Sequence, residues 1–267
     1  GSGLGEQCTG SAIEILSLGI TTNIFISSSF GNSGFDISCN GVNDGSATVS
    51  VFGGGGGPYY IEWFEGSAAN PSFADTTVGN INNGTDTQDS LFAGTYVIQI
   101  TSRTGCQTQK IITLDEPTLL SATSENMNVM CNGASTGSID LNPSGGVVGT
   151  YTFDWTGPNS FIANTEDISG LSAGNYTVLI TDANGCDSSF TIPITEPPTQ
   201  VSISEVLASH IDVNCHGEAT GSLEVTGSGG TPPYQFRING GAWQASGVFP
   251  GLIAGQYDVE ILDDNQC

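Results

Sequence analysis

Three stretches of this chain align without gaps: CNGVNDGSATVSVFGG from Cys39, CNGASTGSIDLNPSGG from Cys131 and CHGEATGSLEVTGSGG from Cys215. A second block recurs as LFAGTYVIQITSRTGC, LSAGNYTVLITDANGC and LIAGQYDVEILDDNQC, with the same spacing from Tyr96 to Cys106, Tyr176 to Cys186 and Tyr257 to Cys267. Self-similarity at a fixed period means that the chain is a series of like structural units, and this constrains the fold more than any single motif. The expected division is residues 1–17 as the tail of a preceding unit, 18–116 as repeat one with a long insertion over 64–90, 117–196 as repeat two, and 197–267 as repeat three, cut short after Cys267. Cys8 stands in the register of the last cysteine of an earlier unit. Asp115–Pro117 and Thr195–Pro197 mark the joints.

Within each block apolar residues alternate with period two. Tyr96, Ile98 and Ile100 share one face, as do Tyr176, Val178 and Ile180, and Tyr257, Val259 and Ile261. Such alternation predicts half-buried strands, and the Gly-Gly, Asn-Gly and Pro punctuation predicts turns between them. Six or seven short strands per unit, with Trp63 and Trp155 on a middle strand, predict an all-β chain of tandem immunoglobulin-like β-sandwich repeats. The L-x-A-G-x-Y block has the form of a tyrosine corner, in which the phenol bonds back across the preceding turn.

Composition limits the partners. Twenty-seven acidic against three basic residues leave a formal charge of −24, which excludes phosphate-neutralising roles such as nucleic-acid binding. No apolar run approaches the roughly 18 residues of a membrane-spanning helix.

A small sandwich buries a modest core, so disulfides are expected, and with them an oxidising, extracellular address. Their pairing depends on strand parity. If the segment after Trp155 folds back as one hairpin strand, the two cysteines of a unit share an end, giving Cys39 with Cys106, Cys131 with Cys186 and Cys215 with Cys267; Cys8 then lacks its partner. If an extra strand intervenes, neighbouring units are stapled instead, Cys39 to Cys186 and Cys131 to Cys267. The within-unit scheme is favoured, because disulfides usually staple single small domains.

The C-[NH]-G-x-x-x-G-S opening, the Gly-Gly-x-x-P-Y turn and the L-x-A-G-x-Y…T-D-x-N-G-C ending, with Glu-Pro at the joint, resemble the SprB-type repeats of surface adhesins in gliding Bacteroidetes. Repeat one departs from that pattern at Ser102–Cys106, where SRTGC replaces T-D-x-N-G-C. The resemblance implies a non-enzymatic stalk segment of a filamentous adhesin, secreted by the type IX route to the bacterial cell surface and supporting attachment and gliding motility. Implied partners are an extracellular surface or polysaccharide target, further repeats of the same chain, and outer-membrane secretion and motility machinery. The rival reading is a carbohydrate-binding or spacer array of a secreted polysaccharide-degrading enzyme, which would need aromatics aligned on an exposed face in every copy; Ile238 takes the tryptophan position in repeat three.

Asp182 and Asn184, and then Asp263, Asp264 and Asn265, cluster oxygens before the last cysteine of their units and form a candidate calcium set. The alternative is a turn in which Asp and Asn bond their own backbone. No cofactor other than calcium is expected. His216 stands where Asn40 and Asn132 stand, a turn position, and no zinc-ligand spacing occurs. Scattered acids such as Glu62, Asp154 and Glu224 sit on strands whose neighbours alternate inward, so solvated faces account for them, and Asp154 has no carboxylate counterpart in repeat three; no catalytic residue is assigned. Candidate glycan acceptors are Thr76, Ser90 and Asn83, in or beside the insertion of repeat one.

Overall fold

A computed structural model describes residues 20–27, 34–53, 58–66, 74–75, 85–103, 105, 107–147 and 149–267. The chain is nearly all β, and it divides into two compact units.

The first unit holds residues up to Ser121 together with Ser144–Tyr151 and Thr181–Asp187. Its strands are β1 (Ile20–Ser27), β2 (Gly45–Gly53), β3 (Tyr59–Glu65), β4 (Ala74–Asp75), β5 (Thr85–Leu91), β6 (Gly94–Ser102) and β7 (Gln107–Leu114). They form two sheets, in the order β1-β2-β5 and β4-β3-β6-β7, with antiparallel neighbours throughout. This is the strand order of an immunoglobulin-like sandwich. Val49 and Val51 of one sheet share a core with Ile61, Trp63, Ile98, Ile100 and Leu114 of the other. Each such enclosed side chain contributes about 1.5–3 kcal/mol over leaving it exposed. Phe64 and Val97 are also buried, and they face each other across β3 and β6. Strict alternation puts that pair on the solvent side, so β3 and β6 are enclosed on both faces at this point.

Strand parity overturns the favoured cysteine pairing. From Cys39 the chain runs through β2, β3, β4, β5 and β6, and each strand reverses the last. Five strands leave the start and the finish of that run at opposite ends of the sandwich. The strand that changes the count is β4, two residues long. Cys39 is bonded to Cys186 and Cys131 to Cys267, so neither Cys131 with Cys186 nor Cys215 with Cys267 forms, and Cys39 is not joined to Cys106. Cys215 is an exposed thiol. Cys8 and Cys106 themselves lie outside the described residues.

The second unit holds residues 122–143, 152–180 and 188–267. In chain order the further strands are β8 (Thr118–Met127), β9 (Gly137–Gly146), β10 (Thr152–Gly157), β11 (Phe161–Ala163), β12 (Ile168–Leu171), β13 (Gly174–Thr181) and β14 (Asp187–Ile194). Their sheets run β12-β9-β8 and β11-β10-β13-β14, the plan of repeat one strand for strand. Ile139, Leu141, Trp155, Tyr176, Val178, Ile180 and Ile194 are buried. Repeat three contributes β15 (Ser202–Glu205), β16 (Gly221–Ser228), β17 (Gln235–Ile238), β18 (Val248–Leu252) and β19 (Val259–Leu262), as sheets β15-β16-β18 and β17-β19. Val225, Phe236 and Phe249 centre its core. Among the described residues no helix is long and apolar enough to cross a membrane.

Candidate functional site

The recurring motifs converge on the cysteine-tipped loops and the Glu-Pro joints. In repeat two the loop after β13 is built around Asp182, a buried carboxylate. Its Oδ1 accepts from the backbone N–H of Asn184 and of Cys186, both at 2.9 Å, and its Oδ2 accepts from Val147 N–H at 2.7 Å. Hydrogen bonds to an ionised acceptor are stronger than neutral ones, so three of them tie the loop to the turn that follows β9. That turn needs glycine twice over. Gly145 and Gly146 have φ of +79° and +62°, and a Cβ on Gly146 would lie 2.6 Å from Asp182 Oδ2. The Gly-Gly pair and the Asp of the later block are therefore one device: left-handed backbone that only glycine adopts cheaply, wrapped around a carboxylate.

Repeat three builds the same loop. Asp263, also buried, accepts from Cys267 N–H at 2.8 Å and from Thr231 N–H at 2.8 Å, beside Gly229 and Gly230 at φ +72° and +56°. In repeat one the position belongs to Ser102, likewise buried.

The loop then grips another repeat. Asn184 Nδ2 donates to the carbonyl of Ser38 at 3.1 Å, next to the Cys39–Cys186 bond. Asn265 Nδ2 donates to the carbonyl of Met130 at 2.9 Å, next to Cys131–Cys267. The residue before the opening cysteine is thus held by the asparagine two residues before the closing one, in both copies.

The joint explains the remaining signature residues. Glu116 accepts from Asn40 Nδ2 at 3.0 Å and from Gly41 N–H at 2.6 Å, while Asn40 Nδ2 also donates to Pro117 O at 3.0 Å. Glu196 accepts from Gly133 N–H at 2.5 Å, and Asn132 Nδ2 donates to Pro197 O at 2.8 Å. The Cys-Asn-Gly opening of repeats one and two is therefore fastened to the Glu-Pro that ends each.

The tyrosine corner is present in all three copies: Tyr96 donates to Phe92 O at 2.9 Å, Tyr176 to Ser172 O at 3.0 Å and Tyr257 to Ile253 O at 2.8 Å. Burial, with the Glu65 carboxylate nearby, raises the Tyr96 phenol above its ordinary pKa. Trp63 and Trp155 are 3% and 1% exposed, and their indole N–H groups donate to Asp86 at 2.7 Å and to Thr165 O at 2.9 Å. They are core residues, not a stacking platform.

The five residues of the candidate calcium set do not converge. Asp182 and Asp263 spend their carboxylates on backbone N–H groups, Asn184 and Asn265 spend their amides on Ser38 and Met130, and Asp264 is exposed. Among the described residues no three Asp, Glu, His or Cys side chains meet as a metal site. Ser90 is exposed at the end of β5 with φ +61°, whereas Thr76 and Asn83 lie outside the described residues. Glu62 accepts from Gln99 Nε2 at 3.0 Å across the sheet, an ordinary cross-strand pair. His216 is exposed in the opening loop of repeat three. Sequence reasoning missed Glu116, Glu196, Asn40 and Asn132 as fasteners, although their recurrence at the joints was the signal.

Strand order, tyrosine corners and cysteine-tipped loops define a tandem immunoglobulin-like repeat protein. The SprB repeat family model matches the chain at three places, residues 35–68, 123–160 and 211–242. Among solved structures it is similar to three N-terminal domains of the bacteriophage RB49 Highly Immunogenic Outer Capsid protein, at 12% identity and TM-score 0.39, over 82% of this chain and 75% of that one. It is also similar to a C-terminal 282-residue fragment of intimin, at 16% identity and TM-score 0.30, over 73% and 69%, and to an amphioxus IgVJ-C2 molecule, at 15% and 0.26, over 65% and 96%. No curated protein matches the chain. SprB repeats and two disulfides fit an extracellular protein.

Proposed function

We propose that this chain is a non-enzymatic spacer segment of a secreted bacterial surface adhesin, a stalk that carries tension between the cell and an attachment target and supports gliding. The observation that carries the reading is the fate of the signature residues. Cysteine and asparagine fasten one repeat to another, while aspartate, glycine and Glu-Pro brace the loops and ends within a repeat. The two disulfides also interleave, since Cys131 falls between Cys39 and Cys186, which in turn precedes Cys267. A pull on the chain ends would therefore cross both bonds and load only the segment from 131 to 186. Formal charge of −24 keeps neighbouring stalks apart. The target surface, the secretion route and the motility machinery belong to this proposal through the repeat family.

Small-angle scattering of the oxidised chain tests the spacer role. A rod-like profile, with sandwiches about 30 Å tall adding along one axis, is expected; a compact profile contradicts it.

A further inference from the structure

Asparagine followed by glycine is a reactive pair: the glycine nitrogen can close on the asparagine Cγ, and no Cβ on the following residue hinders it. The chain has this pair five times, at Asn40, Asn83, Asn132, Asn184 and Asn239. Asn83 lies outside the described residues. The other four are held in two opposite ways.

In the signature loops the asparagine engages through its amide nitrogen, and the glycine N–H is taken. Asn40 Nδ2 donates to Pro117 O at 3.0 Å and Asn132 Nδ2 to Pro197 O at 2.8 Å. Gly41 N–H donates to Glu116 at 2.6 Å and Gly133 N–H to Glu196 at 2.5 Å, and bonds to a carboxylate are among the stronger ones that a backbone N–H makes. Asn184 follows the same plan, with Nδ2 on Ser38 O at 3.1 Å and Gly185 N–H on Asp182 O at 3.1 Å. In each loop the nitrogen that would attack is turned toward an oxygen of another residue, and the amide it would attack is pinned elsewhere.

Asn239 is held the other way. It forms with Gly240 the turn that follows β17, at φ of +47° and +68°, and Gly241 N–H closes that turn on Ile238 O at 2.9 Å. Both turn residues are exposed. Here the side chain engages through its oxygen: Oδ1 accepts from Asp258 N–H at 2.9 Å, while Asn239 N–H donates to Asp258 O at 2.8 Å. A donor on Oδ1 draws charge from Cγ and stabilises the negative oxygen that forms when a nitrogen adds there. Among the described residues nothing accepts from Gly240 N–H, which meets solvent.

We propose that Asn239 is a self-modification site of repeat three, and that the joint glutamates Glu116 and Glu196 keep the same reaction from Asn40 and Asn132. At Asn239 hydroxide takes the proton of Gly240 N–H, the nitrogen adds to Cγ, and the Cγ–Nδ2 bond breaks, Nδ2 leaving as ammonia with a proton from water. The cyclic imide then takes up water at either carbonyl, which gives aspartate or isoaspartate. The net change is amide and water to acid and ammonia, with no oxidant or reductant. Isoaspartate lengthens the main chain by a methylene where Asn239 pairs with Asp258. At Asn132 the same change would fall beside Cys131, which is bonded to Cys267, so the guarded opening loop preserves the staple.

The test incubates the oxidised full chain in mildly alkaline buffer and follows each asparagine peptide by mass spectrometry, with isoaspartyl methyltransferase labelling to separate the two products. Asn239 should convert about tenfold faster than Asn40 or Asn132, the ratio expected when a charge-assisted hydrogen bond must open before the nitrogen attacks. In urea with reductant, where the folded contacts are gone, the rates should come together. Glu196→Ala should raise the rate at Asn132 about tenfold and leave Asn40, whose own glutamate is intact, as it was. Glu196→Gln, which keeps an acceptor oxygen, should raise it less. Equal rates at Asn239, Asn40 and Asn132 in the folded chain overturn the proposal, as does a Glu196→Ala chain in which Asn132 converts no faster or Asn40 accelerates equally.

Discussion

Asn184 donates its side-chain amide to the backbone carbonyl of Ser38, 146 residues earlier in the chain, at 3.1 Å. The same bond recurs between Asn265 and Met130, so it belongs to the repeat and not to one loop. Because the amide is aimed from a loop that Asp182 holds rigid, the loop's internal hydrogen bonds govern the grip on Ser38.

Replacing Asp182 with alanine should therefore destabilise the chain. The N–H groups of Val147, Asn184 and Cys186 lose their acceptor, and at about 1–3 kcal/mol for a stranded buried donor, with partial relaxation, the cost should be about 2–4 kcal/mol. Asp182→Ser should cost less, since Ser102 occupies the same position in repeat one. Urea unfolding monitored by tryptophan fluorescence reads both.

The joint makes a smaller demand. Glu196→Ala strands Gly133 N–H at an exposed site, so the loss should be about 1 kcal/mol. The same unfolding series should rank it well below Asp182→Ala.

Interleaved disulfides should shorten the chain's reach under load. With both bonds intact, pulling from the ends stretches the segment from 131 to 186 and bypasses the rest between Cys39 and Cys267. Reduction should lengthen the fully unfolded chain by about 600 Å, at roughly 3.5 Å per released residue. Single-molecule force spectroscopy with and without reductant measures this; equal contour lengths would show that the bonds do not form.

His210 supplies a pH dependence of known sign. Its ring lies 2.5 Å from Glu205 and 3.4 Å from Asp212. The hydrogen bond to Glu205, helped by the Glu205 and Asp212 charges and opposed by desolvation, raises its pKa above the usual 6.5. A group whose folded pKa is raised stabilises fully below its unfolded value, and the contribution fades as pH rises through the folded value. NMR titration should find the His210 imidazole above 6.5, and Glu205→Gln should lower it.

Much of the fold was legible because alternation and repetition speak directly to strands. The faces of β6 and β13, the tyrosine corner at Tyr96, Tyr176 and Tyr257, and the buried Trp155 all follow from pattern. Cysteine pairing did not, because it turned on β4 and β11, pieces of two and three residues that leave no periodic signal. Asp182 could be read from the sequence as a calcium ligand or as a backbone acceptor, since both uses call for a carboxylate in a turn; its hydrogen bond to Val147, 35 residues away, separates them. The Gly-Gly pair likewise acquired its meaning only when Gly146 was seen against the Asp182 carboxylate.

The account stands on covalent stapling from one repeat to another. Proteolysis of the unreduced chain followed by mass spectrometry should yield a peptide pair joining Cys39 to Cys186 and another joining Cys131 to Cys267, with Cys215 open to alkylation. Recovery of Cys131 bonded to Cys186, or of Cys215 bonded to Cys267, would contradict it.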